Sequence, residues 1–148
     1  MSPLLSLLLS FTRKTLFVLV ALAAVAATAC SSSPAAPSAG LNETVILKLG
    51  QSVRVSDARL TLKFDAVNGD NRCPGDALCI TGGDAVVAIT VTPFVGQAAA
   101  YELHTGGVGV ARHGDYLISL EQLSPYPFSS RPFDPASYEA SLRVSPAR

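Results

Sequence analysis

The sequence is poor in the residues and patterns that mark common catalytic sites. Its 148 residues include two histidines, three cysteines and no tryptophan. They contain no Gly-x-Ser-x-Gly elbow, no Gly-x-x-x-x-Gly-Lys loop, no His-Glu-x-x-His pair and no Cys-x-x-Cys pair. The usual hydrolase, phosphate-binding, zinc and redox chemistries therefore lack their parts. We predict no enzymatic activity, no cofactor and no metal centre. Past residue 41 there is also no apolar stripe of helical period, which argues against a helical fold.

The N-terminus has the pattern of an export signal. Arg13 and Lys14 precede residues 15–29, of which thirteen are apolar and none is charged. A membrane span needs about 20 apolar residues, so a positive flank, a shorter apolar run and small residues predict a secretory signal peptide over residues 1–29. Its removal leaves 11 − 2 = 9 basic and 11 acidic residues, a net charge of −2. That charge gives no electrostatic case for a nucleic-acid partner.

The end of this segment resembles the lipobox of bacterial lipoproteins. Ala27-Thr28-Ala29-Cys30 has the small residues and the cysteine of the box, with Ala27 where Leu is usual. The resemblance implies cleavage before Cys30 and a diacylglycerol on its thiol, followed by palmitate-like acylation that anchors the chain to a membrane. Ser31, not Asp, comes next, which implies the outer membrane, facing the periplasm, in a cell with two membranes. Residues 30–41 are then the lipidated cysteine and a Ser/Pro/Ala linker. An ordinary signal peptide with a chance cysteine is the alternative.

Residues 42–148 alternate between apolar and polar side chains, as strands buried on one face do. The clearest runs are 60–66, 85–92, 116–123 and 138–145, and weaker ones cover 44–49, 52–55 and 97–104. About seven strands in this length predict an all-β fold, a single antiparallel β-sandwich of the Ig-like, Greek-key type. A small open barrel is the alternative. The register places Lys63 in solvent and predicts a core that includes Phe64, Val87, Ile89, Ile118, Leu120 and Leu142.

Two cysteines remain once Cys30 carries lipid. An exported chain meets oxidising conditions, so Cys73 and Cys79 are expected to pair with each other. Asn68-Gly69 and Pro74-Gly75 are turn pairs that fold this segment back on itself. Closing so small a loop stabilises a domain by about 2 kcal/mol.

Two weaker hypotheses concern metal ions. His104 and His113 flank the Gly-rich connection 105–112, and we favour solvated loop-edge histidines over a two-histidine metal site because no third ligand is identifiable. Acidic and amide side chains between residues 65 and 76 suggest calcium, but their spacing does not match an EF-hand loop. We favour turn formers there, with Asp70 or Asp76 near Arg72.

The run RCPGDALCITGGDAVV, residues 72–87, resembles a segment of uncharacterised bacterial lipoproteins. In those proteins an Arg-Cys-Pro element precedes a second cysteine and a hydrophobic strand. They usually have Trp soon after the second cysteine, where this chain has Ile80-Thr81. The resemblance implies a shared scaffold over about residues 45–145, with Cys73 bonded to Cys79 and Asp84 starting the next strand. It implies no activity.

Two loops resemble those of chagasin-type inhibitors of cysteine proteases, which are Ig-like sandwiches that block the protease cleft with three loops. Gly106-Gly107-Val108-Gly109 and Arg131-Pro132-Phe133 match the Gly-rich and Arg-Pro-aromatic loops in the same order. The third element, an Asn-Pro-Thr-Thr-Gly run, is absent, and residues 72–79 stand in its place. The candidate binding-loop residues are therefore Arg72, Pro74, Gly106, Gly107, Gly109, Arg131, Pro132 and Phe133.

Residues 124–135 hold four prolines and three aromatic residues. We favour a loop that packs over an open sandwich edge rather than a contact surface, because Phe128 and Phe133 would otherwise expose an apolar patch. Counting strand reversals places the Cys73 and Gly106 loops together at one end. It places this Pro-rich loop, the turn at 94–96 and the point near Leu41 where the chain enters the sandwich at the other end.

These features predict a lipid-anchored cell-envelope protein whose β-sandwich is a non-catalytic binding or structural domain. An envelope protein is the expected partner, besides the membrane that holds the lipid. The alternative is a chagasin-like inhibitor of cysteine proteases that acts through its loops.

Overall fold

A computed structural model describes residues 37–148. The signal peptide, Cys30 and most of the predicted linker lie outside the described residues. Nine strands and one 3-10 turn, Pro135–Ser137, make up the described secondary structure. The strands are β1 (Ser38–Ala39), β2 (Thr44–Lys48), β3 (Ser52–Val55), β4 (Leu60–Asp70), β5 (Ala85–Pro93), β6 (Ala99–His104), β7 (Val110–His113), β8 (Tyr116–Ser124) and β9 (Glu139–Pro146). Within residues 37–148, no helix is long and apolar enough to cross a membrane.

The strands form two sheets, which confirms the predicted all-β sandwich and excludes a closed barrel. One sheet has the order β1-β3-β4-β5-β6 and the other β2-β9-β8-β7. Every pairing is antiparallel except that of β1 with β3. Strand β2 lies beside β9, although four strands of the first sheet, β3 to β6, separate β2 from β7 in the chain. This long return gives the second sheet Greek-key connectivity.

Alternating side chains build the core between the sheets. In β5, Ala85, Val87, Ile89 and Val91 are fully buried while the residues between them are partly exposed. Each inward residue removes its apolar surface from water, worth roughly 25 cal/mol per Å². The predicted core residues Phe64, Val87, Ile89, Ile118 and Leu142 are confirmed, and Lys63 is exposed as expected.

One predicted core residue needs a correction. Leu120 is only half-buried, at the periphery of the core. A bulge between Leu120 and Gln122 shifts the register of β8 against β9, so that Leu123 takes the next buried position. An extra residue in one strand reverses which face the following side chains occupy, and the alternating pattern of the sequence does not mark where it is inserted.

Three loops meet at one end of the sandwich, which we call the loop end. They are the Cys loop (residues 71–84), the Gly loop (105–109) and the Pro loop (125–134). The Cys and Gly loops share an end as predicted, since Gly106 N donates to the carboxylate of Asp84. The predicted separation of the Pro loop is wrong, because Gly75 N donates to Pro127 O over 2.9 Å. Strand β7 explains the error, since one additional reversal before β8 moves the next connection to the other end.

The opposite end, which we call the base, holds the turns 56–59 and 94–98 and the residues that lead into β2. Leu41 N donates to Asp57 Oδ2 there over 3.2 Å. Leu41 therefore lies away from the Cys and Gly loops, as predicted, and away from the Pro loop, contrary to prediction. The sandwich also starts earlier than residue 42, because Ser38 and Ala39 pair with β3 and Ala39 is buried.

Candidate binding surface at the loop end

The Cys loop is closed by a disulfide and carries two fully exposed apolar side chains. Cys73 and Cys79 are bonded, as predicted, with their Cα atoms 5.9 Å apart, inside the limit of about 7 Å for a disulfide. Leu78 and Ile80, on either side of Cys79, are as exposed as in an extended peptide. Large apolar side chains so far from any neighbour are unusual on a domain that has a well-filled core.

Arg72 lies at the root of this loop and is buried, with its side chain 6% exposed. Its guanidinium donates to both carboxylate oxygens of Asp70, at 2.8 and 2.6 Å, and to the carbonyl oxygens of Leu123 and Pro125, at 2.7 and 2.9 Å. The side chain therefore joins the start of the Cys loop to the end of β8. Arg72, predicted as part of a binding loop, lies beneath the loop surface, where its hydrogen bonds position the loop.

The carboxylate of Asp70 also accepts a hydrogen bond of 2.8 Å from Tyr138 Oη. Burial acts to raise the pKa of Asp70, but the hydrogen bonds from Arg72 and Tyr138 outweigh it and hold that pKa below its usual value. For Tyr138, burial and the bond to Asp70 raise the pKa to about 12. The group is thus a carboxylate, a guanidinium and a neutral phenol that satisfy one another over the neutral pH range.

Asp76 fastens the Cys loop to the Pro loop. Its two carboxylate oxygens accept from the backbone N–H groups of Ser129 and Ser130, at 2.7 and 2.9 Å. Hydrogen bonds from the Ser130 side chain and from both N–H groups hold the pKa of Asp76 well below its usual value. Gly75 fits against the ring of Phe128, since a Cβ at residue 75 would lie 3.0 Å from Phe128 Cε1.

Asp84 fastens the Cys loop to the Gly loop. It accepts from Gly106 N at 2.8 Å and from the Thr105 hydroxyl at 3.2 Å, and its Oδ2 lies 2.6 Å from His104 Nδ1. The bond from Gly106 N, followed by that with His104, lowers the pKa of Asp84. The lipoprotein resemblance implied that Asp84 starts the next strand, but β5 begins one residue later, at Ala85. Asp84 lies just before the strand and fixes the neighbouring Gly loop.

Two predicted binding glycines are close-packed against backbone. A Cβ at Gly106 would lie 2.5 Å from the carbonyl oxygen of Gly83, and one at Gly109 would lie 3.0 Å from that of His104. Gly83, with φ of +70°, itself leaves no space for a side chain, because its Cβ would lie 1.8 Å from Asn71 O. Gly106 and Gly109 thus hold the loop close to its neighbours, while Gly107 meets only His104 Cβ and leaves Val108 exposed.

The Pro loop forms a shallow groove of about 310 Å³. It is lined by Pro125, Tyr126, Phe128, Arg131, Pro132 and Phe133, and we call it the aromatic groove. Tyr126 and Phe128 are exposed, with Tyr126 under the Arg72 guanidinium at 5.2 Å from its ring centroid and Phe128 under that of Arg131 at 5.0 Å. Phe133 is half-buried and packs edge-to-face on Tyr138, with ring centroids 5.1 Å apart.

The prediction that the Pro loop packs over an edge of the sandwich is therefore confirmed in part. Phe133 covers the edge of the core, as predicted, whereas Phe128 and Tyr126 stay at the surface. Of the residues suggested by the inhibitor resemblance, Arg131, Pro132 and Phe133 all line the groove. Pro74 lies in the turn of the Cys loop, where its carbonyl oxygen accepts from Ala77 N.

The residues considered for metal binding lie apart from one another. His104 bonds Asp84 at the loop end, while His113 faces Tyr101 near the base, with Nδ1 at 2.9 Å from the Tyr101 hydroxyl. The two histidines do not face each other. Among residues 37–148, no three His, Cys, Asp or Glu side chains come close enough together to hold a metal ion.

Sequence reasoning missed Leu78, Ile80 and Val108, the most exposed apolar side chains of the loop end. Leu78 and Ile80 lie between a cysteine and two glycines, outside any run of strand alternation. Large apolar residues in a loop that cannot bury them were the signal in the sequence that could have identified this exposed surface. Comparison of the chain with models of known families, with curated proteins and with solved structures gives no match.

Proposed function

We propose that this chain is a lipid-anchored cell-envelope protein whose β-sandwich binds a protein partner through the loop end, without catalysis. One observation carries the binding part of the proposal. Leu78 and Ile80 are fully exposed on a loop whose backbone is held by a disulfide, by the Arg72 hydrogen bonds and by Asp76. Apolar anchors on a fixed backbone are suited to a partner's pocket because little ordering entropy is lost on binding.

Polar contacts support this interpretation of the loop end. Asp70, Asp76 and Asp84 all accept hydrogen bonds from within the domain. The carboxylates nearest the exposed apolar side chains are thus already satisfied by the loops that they hold. What the surface offers to a partner is mainly apolar, with Val108 of the Gly loop as a third exposed side chain.

The membrane anchor rests on the sequence of residues 13–30 and on the resemblance to the lipobox. Leu41 lies at the base, and Pro37, seven positions after Cys30, already accepts a hydrogen bond from Arg54 N of β3. A random-coil chain of seven residues has a reach of roughly 15 Å. An acylated Cys30 would hold the base toward the membrane. The Cys, Gly and Pro loops would then face away from it, where a soluble or membrane-bound partner can reach them.

The anchor is tested by mass spectrometry and detergent partitioning. The wild-type protein should begin at an acylated Cys30 and enter the detergent phase, because two or three acyl chains bind membranes far better than one. The Cys30→Ser variant should appear in the aqueous phase with an unprocessed or differently cleaved signal. Equal membrane retention of the variant would reject the anchor.

Binding is tested by in-cell crosslinking followed by purification of the tagged protein from the envelope. A Leu78→Ser, Ile80→Ser variant should lose crosslinks to its main partner. A matched variant, Phe94→Ser with Val95→Ser, removes two exposed apolar side chains from the base and should keep them. Loss of the partner in the base variant alone would overturn the assignment to the loop end.

Inhibition of a cysteine protease is the second candidate, and one structural observation favours it. The Gly loop, the Arg131-Pro132-Phe133 segment and the Cys loop all lie at the same end, which three-loop blockage of a cleft requires. Inhibition of a papain-type protease should then be weakened by Val108→Asp or Arg131→Gln. No inhibition at micromolar concentrations of the folded protein would remove this candidate.

A further inference from the structure

We propose that the aromatic groove of the Pro loop binds an extended, proline-containing peptide segment that carries a carboxylate. The inference rests on the proposed binding role of the loop end and specifies the chemistry of one partner segment. It concerns Tyr126, Phe128 and Arg131 of the Pro loop, which are not part of the exposed tip formed by Leu78 and Ile80.

The lining of the groove suits a polyproline II segment. Such segments have a backbone without internal hydrogen bonds and dock their rings into shallow grooves lined by aromatic side chains. Tyr126 and Phe128 lie edge-to-face with centroids 6.4 Å apart, and Phe133 supplies a third ring. Pro125 and Pro132 complete the apolar walls. A volume of about 310 Å³ is at the lower end of the range of ligand pockets, which fits a few side chains of an extended peptide.

Contacts within the domain fix the walls of the groove. Phe128 is held on Gly75, and the adjoining backbone at Ser129 and Ser130 is bound by Asp76. On the other side, the buried Arg72 guanidinium lies over the Tyr126 ring. Its hydrogen bonds to the carbonyl oxygens of Leu123 and Pro125 fix the position of its side chain. A stiff ligand and a fixed groove each lose little entropy on binding.

Arg131 gives the groove its preference for a negative charge. Within residues 37–148 it forms no ion pair, and its guanidinium lies over the Phe128 ring. The nearest acidic residues of the loop are engaged elsewhere, Asp76 with two backbone N–H groups and Asp134 with Ala136 N. A guanidinium over a ring face still has N–H donors for two parallel hydrogen bonds to a carboxylate.

The chain's own proline segment fits less well. Pro34-Ala35-Ala36-Pro37 has two prolines at polyproline spacing but no acidic residue. Pro37 O also accepts from Arg54 N, beside the β3 strand of its own domain. The groove therefore points to a partner of different sequence.

The test is fluorescence anisotropy of the full, lipidated chain in detergent with labelled Ala-Pro-Pro-Glu-Pro-Pro-Ala. One control peptide has Gln in place of Glu and tests the requirement for a carboxylate. The other, Ala-Gly-Ser-Glu-Ser-Gly-Ala, tests the requirement for proline. We expect the dissociation constant to rise about tenfold for each control peptide, for Arg131→Gln with the Glu peptide, and for Tyr126→Ala. Phe94→Ala, which removes an exposed ring flanked by two arginines at the base, should leave binding unchanged. Circular dichroism melting confirms that each variant is folded.

Several outcomes would overturn the proposal. They are equal binding of the Glu and Gln peptides, binding unaffected by Tyr126→Ala, and binding of an N-acetylglucosamine oligomer but of no peptide. Self-association that Tyr126→Ala abolishes would instead identify a second copy's proline segment as the occupant. The Leu78→Ser, Ile80→Ser variant should bind the peptide normally. Peptide binding that fails while that variant still loses its envelope partner would refute the groove and leave the proposed function standing.

Discussion

The sandwich body and the loop end of this domain are held in place by different interactions. In the body, two sheets exclude water from apolar side chains such as Phe64, Ile89 and Leu142. At the loop end, three aspartates each bond a neighbouring loop or its root, a buried arginine links the Cys and Pro loops, and a disulfide closes the Cys loop. The body therefore needs its apolar side chains inside. The loop end can leave its own apolar side chains outside.

Because of this difference, the residues that stabilise the loop end are not the residues that it presents to a partner. Residues that order the loop end, such as Asp76 and Asp84, are polar and are satisfied internally. Residues that the loop end displays, such as Leu78 and Ile80, contribute nothing to packing. A surface of that kind can change its displayed side chains without disturbing the scaffold, which is the property of binding loops on rigid sandwiches.

The largest effect should come from truncating the body. Phe64→Ala should lower the free energy of unfolding by about 3–5 kcal/mol, because it leaves a cavity between the sheets. Lys63→Ala, one residue away on the exposed face, should change it by less than about 0.5 kcal/mol. Urea unfolding followed by circular dichroism measures both. Similar costs for the two variants would show that the register of β4 is not the one described.

The second-largest effect should come from the buried Arg72. Replacing it tests whether the polar contacts of the loop end stabilise the domain as strongly as the apolar core does. Arg72→Met retains the apolar stem but leaves the Asp70 carboxylate, whose side chain is 10% exposed, without its charged partner. We expect a loss of about 3 kcal/mol, since breaking one half of a buried ion pair strands the other charge. Arg131→Met serves as the control and should be nearly neutral, because Arg131 is exposed and forms no ion pair with any of residues 37–148. A cost below about 1 kcal/mol for Arg72→Met would mean that the loop end is held mainly by its disulfide.

Most of the body could be predicted from the sequence, because a period of two in apolar residues has one physical meaning in a sheet. Every inward residue of β5 and β9 was predicted correctly on this basis. The errors occur where the period fails. In β8, Leu120 is half-buried and a bulge after it moves the next buried position to Leu123. Strand β7, Val110–His113, is too short and too polar to show alternation.

The loop end was harder to predict because its contacts join residues far apart in the chain. Asp76 and Ser129 are 53 residues apart, as are Arg72 and Pro125. No local pattern marks such pairs, and turn propensity alone explains each aspartate equally well. Overlooking the one strand β7 also reversed the predicted position of the Pro loop. The nearness of Arg72 to an aspartate could be predicted because Asp70 is only two residues away.

Acid should loosen the loop end. The pKa values of Asp70, Asp76 and Asp84 are lowered in the folded protein. A lowered pKa stabilises the fold fully above the ordinary value of about 4, and that contribution disappears as the pH falls through the folded value. The free energy of unfolding should thus be level from about pH 5 to 7 and decline below about pH 4. Carbon-detected NMR titration of the side-chain carboxyls checks the assignment, and Asp76→Asn should reduce the slope. Carboxyls that titrate at or above their ordinary values would contradict the hydrogen bonds described.

The smallest expected effect is the sharpest test of the comparison. Leu78 and Ile80 touch so little of the domain that the Leu78→Ser, Ile80→Ser variant should unfold within about 0.5 kcal/mol of the wild type, the range of ordinary surface substitutions. The same variant should reduce the binding of a hydrophobic dye to the native protein, because it removes two fully exposed apolar side chains. Val91→Ser, which buries a hydroxyl in the core, is the control and should cost several times more. If the double variant instead loses more than about 1 kcal/mol, Leu78 and Ile80 must pack against the domain in solution. The loop end would then be stabilised by apolar burial as the body is, and neither side chain would be available to a partner.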